Sequence, residues 1–224
     1  DRRTVQEVVE KAIGTVTQSK IDSIVAGRTD AGVHATAQVM HVDVPTDADD
    51  IPNWVFRLNR ILDPDIRILK VGIAADDFHA RFSAIEREYQ YRLADNNQIV
   101  LPLERYNTAT WFRALDVDRL NEASSLLIGE HDFVAFCKFR EDQKTVRTLK
   151  KFHWSRLDSG ILIADVAANA FCYSMVRNLV GAAVAVGEGR FEKEWAQAIL
   201  DNKERVSDSY VFPANGLTLV KVTY

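Results

Sequence analysis

The chain has little cysteine and no excess of positive charge. Two of its 224 residues are cysteine, Cys137 and Cys172. They form no metal or redox motif, and two free, buried thiols in a cytosolic protein is the default expectation. Lysine and arginine number 28 against 32 aspartate and glutamate, a net charge of −4. Indiscriminate grip on nucleic acid wants a basic domain, so this balance argues against that class. No apolar run is long enough to span a bilayer, and the start of the chain carries no signal-peptide pattern. The five histidines, His34, His41, His79, His131 and His153, show no ligand spacing and no proximity to a cysteine pair. No nucleotide-binding loop, internal repeat or low-complexity tract occurs. Neither a metal nor a cofactor is therefore expected.

What is present is an ordinary globular composition, 47% hydrophobic and 27% charged, enough for a real core. The length suits one large domain or two small ones. Thr4 and Glu7 form a capping box ahead of Val5, Val8, Val9 and Ile13 at helical spacing, and Gly14 is placed to end that helix. Ile21 to Ala26 reads as a buried strand. Gln38 to Val44 alternates, with Met40, Val42 and Val44 on one face. Pro52 opens a helix to Leu62, and Ile66 to Ile73 reads as a strand. In Ile85 to Leu93, Ile85, Arg87, Tyr89, Tyr91 and Leu93 share a face. Val117 to Ile128 reads as a helix stopped by Gly129. Leu149–Leu157 and Ile161–Val166 pair across Asp158-Ser159-Gly160. Ser174–Val186 is an apolar helix, Glu192–Leu200 an amphipathic one, and Leu217–Val222 a closing strand. Helices and strands alternate without a strict βαβ rhythm, which predicts α+β. Three local groups of cations stand out: Arg57, Arg60 and Arg67; Arg81, Arg87 and Arg92; and Lys138, Arg140, Lys144, Arg147, Lys150 and Lys151. Interspersed acids make a solvated mixed face the simplest reading of each.

The most informative stretch is Ala26-Gly27-Arg28-Thr29-Asp30-Ala31-Gly32-Val33-His34-Ala35. A strand, a glycine-rich turn and a second strand would hold Asp30 at the end of a sheet, on a rigid support. Taken alone, an Asp beside Gly is more often a turn residue bonded to its own backbone.

Length and company decide between these readings. Gly27 to His34 resembles the signature of the tRNA pseudouridine synthase A family. Three further blocks follow in the family's order: Asp76 to Ala84, Arg87-Glu88-Tyr89-Gln90-Tyr91, and Ala168 to Gly181. The resemblance implies a pseudouridine synthase fold, two α+β halves with antiparallel or mixed sheets flanking a basic active-site cleft. The polar, basic connection 74–84 is where the domain boundary is expected, between an N-terminal half, 1–80, carrying the Asp30 loop, and a C-terminal half, 81–224, carrying Tyr89 and Arg177. The resemblance also implies a strand and loop ahead of the first helix. This chain opens almost at that helix, so an unpaired sheet edge is expected in the first half.

By the same resemblance Asp30 is the catalytic nucleophile, and Tyr89, Arg28 and Arg177 bind substrate. Tyr89 lies against the target base, Arg177 partners Asp30, and Arg28 contacts phosphate or helps splay the RNA. The implied activity is isomerisation of uridine to pseudouridine on the 3′ side of the tRNA anticodon stem-loop, positions 38–40. It is cofactor-free and carried out by a cytoplasmic homodimer with no membrane or metal partner. Attack on the sugar, attack on the base and a glycal route all remain open. Two other classes compete, a noncatalytic RNA-binding module of the same fold and a small-molecule hydrolase with an aspartate nucleophile. A buried carboxylate gains nothing for binding an anionic backbone, which disfavours the module. The hydrolase lacks a recognisable second acid or base.

Overall fold

A computed structural model describes residues 3–44, 51–141, 143–203 and 210–224. The described residues carry five α-helices and nine strands, an α+β protein. They fall into two compact units, residues 1–28 with 39–83, and residues 29–38 with 84–224. The Asp30 loop thus clusters with the second unit, although the first surrounds it in sequence.

In the first unit, helix α1 (Val5–Thr17) starts where Thr4 Oγ1 accepts the Glu7 amide. The return half of the capping box is replaced: Glu7 takes Lys11 one turn on, at 2.7 Å. The helix runs past Gly14 and ends at Gln18 in the left-handed region. Gly14 is needed for another reason, because a Cβ there would stand 2.8 Å from the Ser19 carbonyl oxygen. Strands β1 (Ser23–Val25) and β3 (Met40–Val42) pair antiparallel. Helix α2 (Ile51–Ile61) sets Trp54 and Leu58 against Val9, Ala12 and Ile13 of α1, with Met40, Val42 and Val44 packed alongside. Val5, expected in that face, is exposed. The stretch 66–73 forms no strand. The Asn59 side chain takes both backbone groups of Ile68, each at 2.8 Å, and so replaces a ladder partner.

The second unit is built on a seven-stranded sheet. Its path is β2 (His34–Ala35), β9 (Leu217–Thr223), β4 (Glu86–Ala94), β8 (Leu162–Ala168), β7 (Val146–Arg156) and β6 (Gly129–Asp132), with β5 (Ala109–Thr110) beside β4. β2 and β5 run parallel to their partners and the other pairings are antiparallel. On β4 the face bearing Arg87, Tyr89, Tyr91 and Leu93 is buried, as its alternation predicts, whereas Ile85, expected on that face, precedes the strand and is exposed. Helices α3 (Val117–Ser125), α4 (Met175–Gly187) and α5 (Glu194–Asn202) contribute Leu120, Leu179, Val180 and Ile199 to the core over that face. α3 is capped by Asp116, which accepts the Asp118 and Arg119 amides. It stops short of Ile128 in tight i→i−3 bonds, and Gly129 opens β6 instead.

Irregular pairing accounts for the strands the pattern blurs. Between Glu88 and Tyr89 the β4–β9 register slips, leaving Val220 extra on β9. Between Leu149 and Lys151 the β7–β8 register slips in the same way, at Lys150. The second bulge places Leu149 and Phe152, three apart, on the same buried face.

Candidate active site

Asp30 stands in a turn closed by the Val33 amide donating to the Asp30 carbonyl at 3.0 Å. Gly32, third residue of that turn, has φ +84°, a value a β-carbon would strain. Immediately after, His34 and Ala35 pair with Thr218 and Leu219, and the Thr36 amide donates to the Leu219 carbonyl at 2.9 Å. The turn is therefore fixed to the sheet through β2.

Its carboxylate meets the first turn of α4. Arg177 Nη1 donates to Asp30 Oδ2 at 2.9 Å and Ser174 Oγ donates to the same oxygen at 3.2 Å. Both charged side chains are about four-fifths buried, at 19% and 20% exposure, so the pair works in a weakened dielectric. Every residue of α4 except Arg177 is buried. Its guanidinium, which in so apolar a helix had the alternative of reaching for solvent, is divided between Asp30 and the Phe212 carbonyl, to which Nε donates at 2.6 Å. The contact with Asp30 is thus single, not a two-pronged fork. Ser174, at the N-cap of α4, adopts φ +62°, an uncommon conformation for a side-chain-bearing residue that sites over-determine. The positive end of the helix dipole adds to the stabilisation of the carboxylate. Among the described residues, Asp30 Oδ1 accepts no hydrogen bond.

Tyr89 projects from the β4 position beside the bulge. It is 8% exposed and meets Phe171 edge-on, ring centroids 5.1 Å apart. Burial pushes its phenol up to about 12; Arg87 opposes this and the nearby Asp30 carboxylate adds to it. The hydroxyl therefore stays protonated across the physiological range. Tyr91, on the same face, is fully buried core, with its hydroxyl on the Pro213 carbonyl at 2.8 Å.

The structure brings Asp30 and Arg177 into contact, and Tyr89 lies near enough to feel the Asp30 charge. Arg28 falls in the first unit, exposed and without a carboxylate partner among the described residues. His79 is spent locally: its Nδ1 accepts the Arg81 and Phe82 amides at 3.2 and 3.1 Å. His34 bonds the Tyr106 carbonyl. Ser174 is the site residue that residue-level reasoning passed over. The signal for it lay inside the fourth block, as the hydroxyl residue directly preceding an apolar helix. The two cysteines are a correction: Cys137 and Cys172 form a disulfide, with Cα atoms 5.6 Å apart. They are 35 residues apart in sequence, so only the tertiary fold brings them together.

Fold and site define an α+β protein with an arginine-held carboxylate and a buried tyrosine in its second unit. Residues 123–224 match the family model described as tRNA pseudouridine synthase. Curated relatives named tRNA pseudouridine synthase A include one from Frankia casuarinae, 48% identical over 226 residues, which span all of this chain and 81% of that protein. Another, from Streptomyces griseus, is 47% identical over 228 residues, all of this chain and 80% of its own length. A third, from Leifsonia xyli, is 42% identical, covering all of this chain and 84% of its own. The chain belongs to the tRNA pseudouridine synthase A family, whose members are isomerases.

Proposed function

We propose that this chain isomerises uridine to pseudouridine in tRNA, with Asp30 as the nucleophile. The observation that carries this reading is the asymmetry of the Asp30 carboxylate. Arg177 and Ser174 hold Oδ2, while among the described residues Oδ1 accepts no hydrogen bond. A nucleophile needs this combination of a fixed carboxylate and one free oxygen. In the reaction the N1–C1′ bond breaks, the uracil turns over, C1′ bonds to C5, and the C5 hydrogen leaves as a proton while N1 gains one. The change is balanced without an oxidant or any external group. Tyr89 packs on the uracil and, being neutral, acts by contact and hydrogen bonding rather than as a resting phenolate. Arg177 fixes the carboxylate through Oδ2.

The target base must leave its stack to reach Asp30, at a cost of about a few kcal/mol. The 3′ side of the anticodon stem-loop, positions 38–40, is a substrate in which that opening is cheap. Recognition there rests on RNA shape and phosphate contacts. Arg28, exposed beside the nucleophile in sequence, serves as a phosphate contact. The working form is a cytoplasmic homodimer, a state that sedimentation at micromolar concentration reads directly. No helix among the described residues is long and apolar enough to cross a membrane.

The test of reaction class is tritium release from tRNA carrying [5-³H]uridine, since forming the C1′–C5 bond expels that hydrogen. Release in step with pseudouridine appearance is expected. Binding of tRNA with no release would favour the noncatalytic module.

A further inference from the structure

Two cations sit against one tyrosine directly beside the nucleophile's support. Lys138 Nζ lies 5.2 Å, and Arg140 Cζ 4.9 Å, from the centre of the Tyr173 ring. Tyr173 immediately precedes Ser174, the residue that donates to Asp30. The two segments are tied twice. The Lys138 amide donates to the Tyr173 carbonyl at 2.8 Å, and the Cys137–Cys172 disulfide joins the residues just before each. Gln143 Oε1 accepts the Tyr173 amide at 3.2 Å, which fixes the far side of the loop.

Lys138 and Arg140 are both exposed, and among the described residues neither has a carboxylate within ion-pair distance. Many other exposed cations of the second unit do have one. Lys150 meets Glu86, Lys151 meets Asp165 and Lys221 meets Glu88, all within 2.9 Å. Two like charges gathered over one ring repel each other, and the ring's electron-rich face offsets only part of that. A bound anion removes the rest. The neighbouring catalytic loop narrows the choice of anion to one that arrives with the target base.

We propose that Lys138 and Arg140, mounted on Tyr173, form a phosphodiester clamp that holds the RNA backbone of a nucleotide flanking the target uridine. The clamp rests on the reading of Asp30 as the nucleophile of an RNA isomerase. It adds a positioning element outside the Asp30, Tyr89 and Arg177 set. Because the disulfide and the Lys138–Tyr173 bond couple clamp and Ser174, the backbone is gripped at a fixed offset from the attacking oxygen.

The test uses Lys138→Met, Arg140→Gln and the double variant, with an unmodified tRNA transcript as ligand. The KM for tRNA is expected to rise about tenfold in the double variant with kcat at saturating tRNA largely kept. The slope of log affinity against log salt should become shallower by about 0.7 for each phosphate of single-stranded RNA that no longer meets a cation. A fold defect would not produce that change in slope. Tyr173→Phe keeps the ring and should behave as the parent, while Tyr173→Leu should lose part of the same slope. Normal KM and an unchanged slope in the double variant would overturn the clamp. A parent chain that binds tRNA with the expected slope change but releases no tritium would instead overturn the catalytic reading and leave the clamp standing.

Discussion

The two oxygens of Asp30 differ in their surroundings, and that difference gives Ser174 a measurable role. Its hydroxyl donates to Oδ2, a hydrogen bond to a charged acceptor worth about 1.5–3 kcal/mol. Ser174→Ala is therefore expected to lower kcat by about 10- to 100-fold while melting temperature changes little; parental turnover would show that Arg177 alone suffices. Tyr89 makes a prediction about pH. An unfolded tyrosine ionises near 10.0, and burial pushes Tyr89 up to about 12. Between those values the unfolded chain has released a proton that the native chain retains, so stability falls as pH rises through this window. Burial raises Tyr91 in the same direction, so the effects add. Tyr89→Phe should flatten part of the alkaline decline in melting temperature, and superimposable curves above pH 10 would contradict this. At this scale the sequence is informative where a motif is long. Asp30, Arg177 and Tyr89 are legible through unbroken blocks. Ser174 is not, because its role depends on a backbone conformation that no side-chain pattern encodes.

Elements are legible where hydrophobic periodicity is clean. The β4 alternation, the apolar α4 and the β7–β8 hairpin all stand near their expected bounds. Two-residue strands such as β2 and β5 have too few side chains to show a period, and each exists because a neighbouring strand offers an open edge. β2 matters most, since it anchors the Asp30 turn. The stretch 66–73 has the composition of a strand, but an asparagine side chain supplies its hydrogen bonds. The end of β7 holds a polar anchor that composition also hides. Asp95, with its side chain 5% exposed, accepts Arg156 at 2.7 and 3.0 Å and the Leu115 amide at 2.8 Å. Burial opposes its ionisation, but the Arg156 and Leu115 bonds together outweigh that and hold the carboxyl below its usual range. Its contribution is present above the unfolded value of 3.8 and is lost as pH falls through the lower folded value. Arg156→Met leaves the carboxylate buried and unpaired, and about 3 kcal/mol of stability at neutral pH should go with it. A denaturant midpoint equal to the parent's would contradict the anchor.

For the whole molecule, composition points to the α+β class and says little about how the chain is partitioned. The Asp30 loop clusters with the second unit because β2 pairs with β9, a partner more than 180 residues away in sequence. The disulfide is a second long-range tie. Closing a loop of this length stabilises by roughly 3–4 kcal/mol in the chain-entropy account. Protein purified without reductant and unfolded in guanidinium should show no free thiol, and reduction should lower the melting temperature; two titratable thiols in the unreduced protein would contradict the link. The central claim, that Asp30 is the nucleophile of a tRNA isomerase, is tested most directly by single-turnover tritium release from [5-³H]uridine tRNA. The parent and Asp30→Ala would be run side by side, with tRNA affinity measured on both. The account predicts release by the parent, at least about a thousandfold less by the variant, and comparable affinity for the two. Release by Asp30→Ala at close to the parental rate would contradict it.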